Sequence, residues 1–274
     1  MKVVLLAGGF GSRLAEETVI RPKPLVEIGG IPIIEHIMNW YMSYGYNDFV
    51  ICLGYKGSDI IAYFKDYYIK NSSCVISENG KIETFNNNYK PWKITLVQTG
   101  VKTQTAGRLK KIKPFLKEDE SFMMTYGDGL SNVNINKLIL HHKKNKKLAT
   151  VTAVRPLARF GAMDIQNNLV QNFTEKPKSE SGWINGGYFV LSKKALDFIK
   201  SDNEPWEAGP LPKIAKKGEL TAFKHDGFWQ PMDTLREKQM LSKLWETKKA
   251  PWIVSENKIK NVLPLSNYKY SNAR

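Results

Sequence analysis

Cysteine is nearly absent from this sequence, and its scarcity narrows the class of protein. The 274 residues contain only Cys52 and Cys74. Two thiols cannot form the disulfide framework that holds many small secreted domains together. Cys52 lies in an apolar, strand-like stretch, which favours a buried free thiol. The fold must therefore rest on a hydrophobic core, which a chain of this length is large enough to form.

Long apolar runs are also missing. No stretch approaches the roughly 20 apolar residues that a membrane-spanning helix requires. Lys2 precedes the short apolar run Val3–Ala7, which is too short for a signal peptide and has no cleavage-like site after it. We therefore expect a cytoplasmic protein without a membrane partner.

Acidic residues are few, since 26 Asp and Glu face 41 Lys and Arg, for a formal net charge of +15. Such a charge is compatible with binding nucleic acid, a membrane surface or small polyanions. The basic residues are scattered in pairs, most of them near predicted helix ends, where the helix dipole favours cations. No helix-turn-helix, zinc-finger or RNP-like pattern is visible. We therefore expect no nucleic-acid partner.

Strand-like and helix-like segments alternate through the first half, a pattern typical of βαβ units. Ser58 and Asn134 are the predicted N-caps of two of the helices. The alternation predicts an α/β fold with a Rossmann-like, mostly parallel sheet flanked by helices. The predicted strands are 2–6, 48–53, 93–98 and 121–126, and the predicted helices are 32–44, 58–68 and 134–147.

The second half is less regular and predicts a smaller antiparallel sub-layer over the substrate site. Residues 78–91, rich in Asn and Lys, indicate an extended insertion or a mobile arm. Residues 253–274 are a polar, basic tail that is either disordered or an arm on a neighbouring subunit. Predicted strands cover 149–155, 160–165, 168–174 and 184–191, and predicted helices cover 193–200, 207–217 and 233–248.

The opening of the chain carries the strongest functional signal. The apolar strand Val3–Ala7 leads directly into Gly8-Gly9-Phe10-Gly11. A buried strand that opens into a glycine-rich loop presents several backbone N–H groups in a tight arc, which binds anions. Arg13 and Lys23 add positive charge near the same loop. The loop is neither a P-loop nor a full G-x-G-x-x-G, and glycines alone also make ordinary turns, but the combination predicts a polyphosphate site.

Two carboxylates are candidate metal ligands. Asp128 lies between two glycines after the strand-like run 122–126, at the edge of the sheet where ligands bind. Asp233 follows Phe228–Met232 and is alternatively the N-cap of the last long helix. Mg²⁺ is usually held by one or two carboxylates together with substrate phosphates. We therefore pair Asp128 with Asp233 as Mg²⁺ ligands.

Two short motifs are ambiguous when they are read alone. Glu175-Lys176-Pro177 fits a strand end at which Lys binds a phosphate and Glu binds sugar hydroxyls, although it is more often a surface turn. Asn185-Gly186-Gly187 interrupts a strand, which indicates either a close backbone approach or a β-bulge.

Taken together, the motifs resemble the sugar-1-phosphate nucleotidyltransferases. The resemblance covers about residues 1–252, and several segments, among them Gly54–Gly57 and Gly227–Arg236, look closest to the family's cytidylyltransferases. It implies one nucleotidyltransferase domain, with a nucleotide-binding part at about 1–130 and a sugar-binding part at about 131–252. The matching motifs are the opening loop, Arg21–Pro24, Gly127–Gly129, Glu175–Pro177, Asn185–Gly187 and Asp233.

The resemblance also implies site roles and substrates. Arg13, Lys23 and Asp128 would be catalytic, and Asp128 and Asp233 would hold Mg²⁺. The reaction would convert CTP and a sugar 1-phosphate, with glucose 1-phosphate expected, to a CDP-sugar and pyrophosphate in a homo-oligomer. The nucleotide-binding residues would be Leu6, Ala7, Gly8, Gly9, Gly11, Ser12, Arg13, Lys23, Gly107 and Arg108. The sugar-phosphate-binding residues would be Tyr126, Glu175, Lys176, Asn185 and Gly186.

Three departures from the family pattern leave the substrates open. Ala106 stands where the family usually has glycine, and Val101 where it usually has aspartate. The segment 206–211 lacks an acidic residue at position 209, before Pro210. The same chemistry with UTP, dTTP or another phosphorylated acceptor, and a non-catalytic scaffold that binds nucleotide sugars, are the alternatives.

Overall fold

The computed structural model describes residues 1–86, 89–116, 121–156, 162–166, 169–174 and 182–254, and it contains a central seven-stranded sheet. In chain order the strands are β1 (Val3–Leu6), β2 (Glu27–Ile28), β3 (Ile31–Pro32), β4 (Asp48–Leu53), β5 (Ser73–Ile76), β6 (Ile82–Phe85), β7 (Lys93–Gln98), β8 (Ser121–Tyr126), β9 (Gly129–Ser131), β10 (Ala149–Val154), β11 (Ala162–Gln166), β12 (Leu169–Thr174), β13 (Ile184–Ser192), β14 (Leu220–His225) and β15 (Trp229–Pro231). The α-helices are α1 (Ala15–Thr18), α2 (Ile33–Met42), α3 (Gly57–Lys70), α4 (Thr105–Lys111), α5 (Ile135–Asn145), α6 (Pro210–Lys216) and α7 (Leu235–Glu246).

The central sheet is mostly parallel, with the order β14-β10-β13-β8-β1-β4-β7. Strand β1 pairs in parallel with both β4 and β8, and β13 is antiparallel to β8 and to β10. On one side of β1 the sheet continues with β4 and β7, and on the other side with β8 and the later strands. A crevice therefore forms beyond the carboxyl end of β1, where the strand order changes direction. The glycine-rich loop after β1 and the Gly127–Gly129 turn after β8 meet at this crevice.

Both faces of the sheet are covered, as the continuous apolar strands require. On β1, Val3 and Leu5 pack into one hydrophobic cluster, while Val4 and Leu6 pack into the other. Trp206 and Trp252 are the largest fully buried side chains, one in each cluster. Trp206 therefore anchors the start of the 206–211 segment in the core.

The predicted fold class is confirmed, since small two-stranded antiparallel sheets accompany the main sheet, among them β11–β12 and β9–β15. The predicted N-cap Asn134 accepts a hydrogen bond from Lys137 N. Strands predicted at 160–165 and 168–174 correspond to β11 and β12. None of the helices in the described part of the chain is both long and apolar enough to cross a membrane.

Several local predictions were wrong. Ser58 is not an N-cap, because α3 begins at Gly57, after Lys56 in a left-handed conformation. The helix predicted over 193–200 is a 3-10 helix over Lys193–Phe198. The first part of the 78–91 segment, predicted as an extended insertion or a mobile arm, belongs to the β5–β6 hairpin, in which Ile76 pairs with Ile82, and residues 87–88 lie outside the described residues.

The alternative role of Asp233 as an N-cap is also wrong. Thr234 caps α7, accepting a hydrogen bond from Glu237 N while the Glu237 carboxylate accepts from Thr234 N. This reciprocal arrangement satisfies exposed amides of the first helical turn. The Asp233 side chain is thereby left to face the crevice. The tail 255–274 lies outside the described residues.

Candidate active site

A cleft of about 310 Å³ lies at the carboxyl ends of β1 and β8. This volume is at the lower end of the range of small-molecule sites. Nearly all the predicted nucleotide-binding residues line it. Its walls are Leu6–Arg13, Lys23, Pro24, Val101–Thr105, Arg108 and Tyr126–Asp128.

The glycine-rich loop needs its glycines for steric reasons. Gly11 has φ of +66°, in the left-handed region that side chains rarely adopt. A Cβ on Gly8 would lie 2.1 Å from an Arg108 guanidinium nitrogen. The loop can therefore pack directly on the Arg108 side chain only because residue 8 has none.

The Arg108 side chain supports the glycine-rich loop. Its guanidinium is buried and donates to the carbonyls of Leu53 and Gly8 at 2.9 Å and to Thr99 Oγ1 at 2.7 Å. Burial lowers the pKa of this guanidinium. Arg108 lines the cleft, and its hydrogen bonds go to the backbone and a side chain of neighbouring segments.

Gly107 does not line the cleft. A Cβ at this position would lie 2.5 Å from the Asp202 carbonyl, so Gly107 allows α4 to pack closely on the 202–207 segment. Ala106, one of the departures from the family pattern, is fully buried in the core. Its methyl group therefore changes packing and does not face the cleft. Val101, by contrast, is half-exposed in the cleft wall.

Lys23 and the two predicted metal ligands form one cluster. Lys23 Nζ lies 2.6 Å from Asp128 Oδ2 and 2.6 Å from Asp233 Oδ1. Burial lowers the pKa of Lys23, but the two carboxylates outweigh it and leave the pKa raised. Lys23 is therefore charged, and it occupies the space between two carboxylates.

Arg13 completes this cluster from the solvent side. Its guanidinium is 2.9 Å from Asp233 Oδ2, and its side chain is 71% exposed. An exposed ion pair of this kind contributes little to stability, typically about 0–1 kcal/mol. Arg13 is therefore free to turn toward an anion in the cleft.

The donor set fits Mg²⁺. No group of three or more His, Cys, Asp or Glu that could hold a metal occurs among the described residues. Two hard carboxylate oxygens already enclose a cation here, the Lys23 ammonium. A site of two carboxylates completed by substrate phosphates is the arrangement that Mg²⁺ uses in phosphoryl-transfer enzymes.

Tyr126 and Asn185 meet at the other end of the cleft. Asn185 Oδ1 accepts a hydrogen bond from Gly187 N at 2.8 Å, and the Asn185 amide beside Tyr126 acts to lower the pKa of the Tyr126 hydroxyl. Burial, with Glu207 nearby, raises the pKa of Tyr126 well above its usual range. A Cβ on Gly187 would lie 2.7 Å from the Tyr126 ring, so the glycine makes room for that ring.

Both explanations considered for the Asn185–Gly187 motif hold. The backbone does approach closely, and the β10–β13 pairing also shifts register between Val151 and Ala153. A Cβ on Gly186 would lie 2.7 Å from Val154 Cγ1, so this residue serves packing against β10. Glu175 and Lys176, the other two predicted sugar-phosphate residues, lie outside the described residues.

Sequence reasoning missed Glu207. Its carboxylate accepts hydrogen bonds from the Tyr126 hydroxyl and, at 3.0 Å, from Thr105 Oγ1, and both donors line the cleft. The signal available was the 206–211 segment, which departs from the family pattern two residues after Glu207.

Gly209 stands where the acidic residue of the family pattern is missing. A Cβ there would lie 2.2 Å from Glu204 Cγ, so the Glu204 side chain fills the space beside residue 209. The Glu204 carboxylate is paired with Lys213 Nζ at 2.6 Å. A neighbouring carboxylate thus occupies the space that an acidic side chain at position 209 would enter.

Comparisons with known proteins agree with this geometry. Residues 2–232 match the family described as Nucleotidyl transferase. The chain is 50% identical over 254 residues to glucose-1-phosphate cytidylyltransferase of Salmonella typhi, covering 92% of this chain and 98% of that protein. It is 30% identical over 249 residues to mannose-1-phosphate guanyltransferase of Saccharomyces cerevisiae, covering 88% of this chain and 63% of that protein. The solved structure of HddC from Yersinia pseudotuberculosis shares the fold, with a TM-score of 0.67 at 24% identity over 89% of this chain and 99% of that chain.

Proposed function

This chain belongs to the nucleotidyl transferase family, and we propose that it converts CTP and glucose 1-phosphate to CDP-glucose and pyrophosphate. The observation that carries the proposal is the cluster of Arg13, Lys23, Asp128 and Asp233 beside the glycine-rich loop. It combines two cations for a polyphosphate with two carboxylates for a divalent metal. The identity of the substrates rests on the cytidylyltransferase relative.

The reaction needs no protein nucleophile. A phosphate oxygen of the acceptor attacks the α-phosphorus of CTP in line, a new P–O bond forms, and the bond to the departing pyrophosphate breaks. Repulsion between the two polyanions is the main obstacle. Two unit charges about 4 Å apart interact by about 4 kcal/mol at an effective dielectric of ~20. Positioned cations and close alignment of the reacting groups would provide most of the catalysis.

The roles follow from location in the cleft. The amides of Gly8, Gly9, Gly11 and Ser12 would cradle the triphosphate. Arg13, which is exposed and held by a single ion pair with Asp233, would neutralise the β- and γ-phosphates. Lys23 would exchange its carboxylate partners for the α-phosphate.

Mg²⁺ would be held by Asp128 and Asp233 and, when bound, would neutralise charge on the reacting phosphates. Tyr126 and Asn185 would contact the acceptor sugar, with Gly186 beside them. Glu175 and Lys176 keep their predicted roles in binding the sugar hydroxyls and the acceptor phosphate. The nucleotide-binding part at about 1–130, the sugar-binding part at about 131–252, the cytoplasmic location and the homo-oligomer also stay predictions.

The test is pyrophosphate release in the presence of Mg²⁺, with CTP, UTP, dTTP and ATP each combined with glucose 1-phosphate and other sugar phosphates. Release with CTP and glucose 1-phosphate alone is the expected result. Release with another pair would keep the chemistry and replace the substrates. Absence of release with every pair, from protein that still binds CTP in calorimetry, would overturn the proposal in favour of a non-catalytic scaffold.

A further inference from the structure

A series of hydrogen bonds reaches the cleft wall at Tyr126 from strand β13. It begins at β13, where Gly187 N donates to Asn185 Oδ1 at 2.8 Å. This bond fixes the orientation of the Asn185 amide beside the Tyr126 hydroxyl. The Tyr126 hydroxyl donates its proton to Glu207 Oε1.

A second series of hydrogen bonds reaches Glu207 from the part of the cleft wall formed by Val101–Thr105, which we call the nucleotide wall. Trp206 N donates to Thr105 Oγ1 at 2.7 Å, and the Thr105 hydroxyl donates to Glu207 Oε2 at 3.0 Å. Both series therefore end on the same carboxylate, one on each oxygen. A carboxylate suits this position, because it accepts on both oxygens at once and donates nothing.

The residues joined in this way belong to different parts of the fold. Thr105 is the first residue of α4, and Tyr126 is the last residue of β8. Glu207 follows Trp206, which is fully buried, so the carboxylate is attached to a rigid point of the core. The preceding backbone also accepts from Gln104 N and Ala106 N, through the carbonyls of Asp202 and Glu204 at 2.9 and 3.2 Å.

We propose that Glu207 is a positioning residue that sets the separation between the nucleotide wall at Thr105 and the acceptor end at Tyr126. Glu207 does not itself belong to the cleft lining, and it acts through the two hydroxyls that do. The inference rests on the proposed function, because a fixed separation matters when the acceptor phosphate must stand in line with the α-phosphate. Small displacements of bound reactants lower the rate steeply.

Glu207→Gln is the informative variant. It keeps the shape of the side chain but removes the negative charge and replaces one acceptor oxygen by an NH₂ donor, so one of the two hydroxyl-to-carboxylate bonds loses its acceptor. One of the two bonds must therefore break. Glu204→Gln is the matched control, since Glu204 lies on the same segment and pairs with Lys213 away from the cleft lining.

The experiment measures kcat and both KM values for the wild type, Glu207→Gln, Tyr126→Phe and the double variant. We expect Glu207→Gln to lower kcat by about 10- to 100-fold, with the affinity for CTP in calorimetry changed less than about threefold. The double variant should lose at most about twofold more than Tyr126→Phe, because the two side chains act as one unit. Glu204→Gln should remain within about twofold of the wild type in kcat.

Two outcomes would overturn the inference: a kcat of Glu207→Gln close to that of the wild type, or independent losses that multiply in the double variant. If Glu207→Gln does not fold, the pair Thr105→Val and Thr105→Ser tests the same series, and only the valine variant should lose turnover. The wild type in the same assay reports separately on the proposed function, since its inactivity would refute the reaction and not the role of Glu207.

Discussion

Lys23 and Asp233, which are 210 positions apart in the sequence, form an ion pair of 2.6 Å at the base of the cleft. The Lys23 side chain is 10% exposed and that of Asp233 is 15% exposed. Asp128 binds the same ammonium from the other side. The two carboxylates thus hold a cation that belongs to the chain itself. A metal ion therefore competes with Lys23 for the same two carboxylates.

Removing the Lys23 ammonium should open the site to free metal. In the wild type, a divalent cation must displace Lys23 before it can bind both carboxylates, whereas a nucleotide offers Lys23 a phosphate in exchange. We expect Lys23→Met to bind Mn²⁺ alone about tenfold more tightly than the wild type, because removing one charge–charge competitor of this kind is worth about 1.4 kcal/mol or more. Electron paramagnetic resonance of free Mn²⁺ measures this directly.

The double variant Lys23→Met with Asp128→Asn is the control for that measurement. It removes one of the two carboxylates and should return Mn²⁺ binding to the wild-type level. Equal Mn²⁺ affinity in the wild type and in Lys23→Met would show that Lys23 does not restrict access to the carboxylates.

The sequence predicted the ingredients of this cluster but not their arrangement. Arg13, Lys23, Asp128 and Asp233 were all identified, because each follows a strand or a turn in a pattern that has a chemical reason. The direct contact of Lys23 with both carboxylates depends on how β1, β8 and β15 come together, which a local pattern does not contain. The fold class followed from the alternation of segments, which is a strong signal.

The wrong prediction for Ser58 and the omission of Glu207 also arise from structure that a local sequence pattern does not contain. Serine is a residue type that favours N-caps, but α3 begins one residue before Ser58, at Gly57, after the left-handed Lys56. The departure of the 206–211 segment from the family pattern points to position 209, and the neighbouring Glu207 has no signal of its own. Its significance comes from Tyr126 and Thr105, which reach it across the fold.

Asp128→Asn should nearly abolish turnover and leave the fold intact. The amide oxygen can still accept from Lys23, so packing is kept, while the negative charge for the metal is lost. We expect kcat to fall by roughly three orders of magnitude, in line with the loss of a charged group that acts on the transition state. Pyrophosphate release and the thermal midpoint are measured together, with Asp66→Asn on the exposed face of α3 as the matched change. A kcat within tenfold of the wild type would remove Asp128 from the site.

Arg108→Lys should destabilise the loop that Arg108 supports. Lysine cannot reproduce the planar fork that reaches Leu53 O, Gly8 O and Thr99 Oγ1 together. Leaving buried acceptors unsatisfied costs about 1–3 kcal/mol for each group, so we expect the free energy of unfolding to fall by roughly 2–4 kcal/mol. Urea unfolding measures this.

Lys110→Arg supplies the control, because it lies two residues away on the exposed side of α4. Its free energy of unfolding should stay within about 0.5 kcal/mol of the wild type. Similar values for Arg108→Lys and Lys110→Arg would mean that the guanidinium contacts contribute nothing to the stability of the loop.

Glu35 gives the protein a pH-dependent stability that is independent of the cleft. Burial raises the pKa of this carboxyl from 4.5 to about 7, with Lys90 acting in the opposite direction, and the Tyr63 hydroxyl donates a hydrogen bond to it. The folded protein thus keeps a proton that the unfolded chain has already lost. The stabilisation is complete below pH 4.5 and is lost as the pH rises through about 7.

Glu35→Gln should remove this dependence, because its side chain stays neutral and can still accept from Tyr63. At about 1.4 kcal/mol per pKa unit, the variant should gain up to roughly 3 kcal/mol over the wild type at pH 8 and little at pH 4.5. Urea unfolding across this range measures the difference, and Glu246→Gln, at an exposed position of α7, should follow the wild-type curve. Parallel curves for Glu35→Gln and the wild type would show that Glu35 does not hold its proton in the folded state.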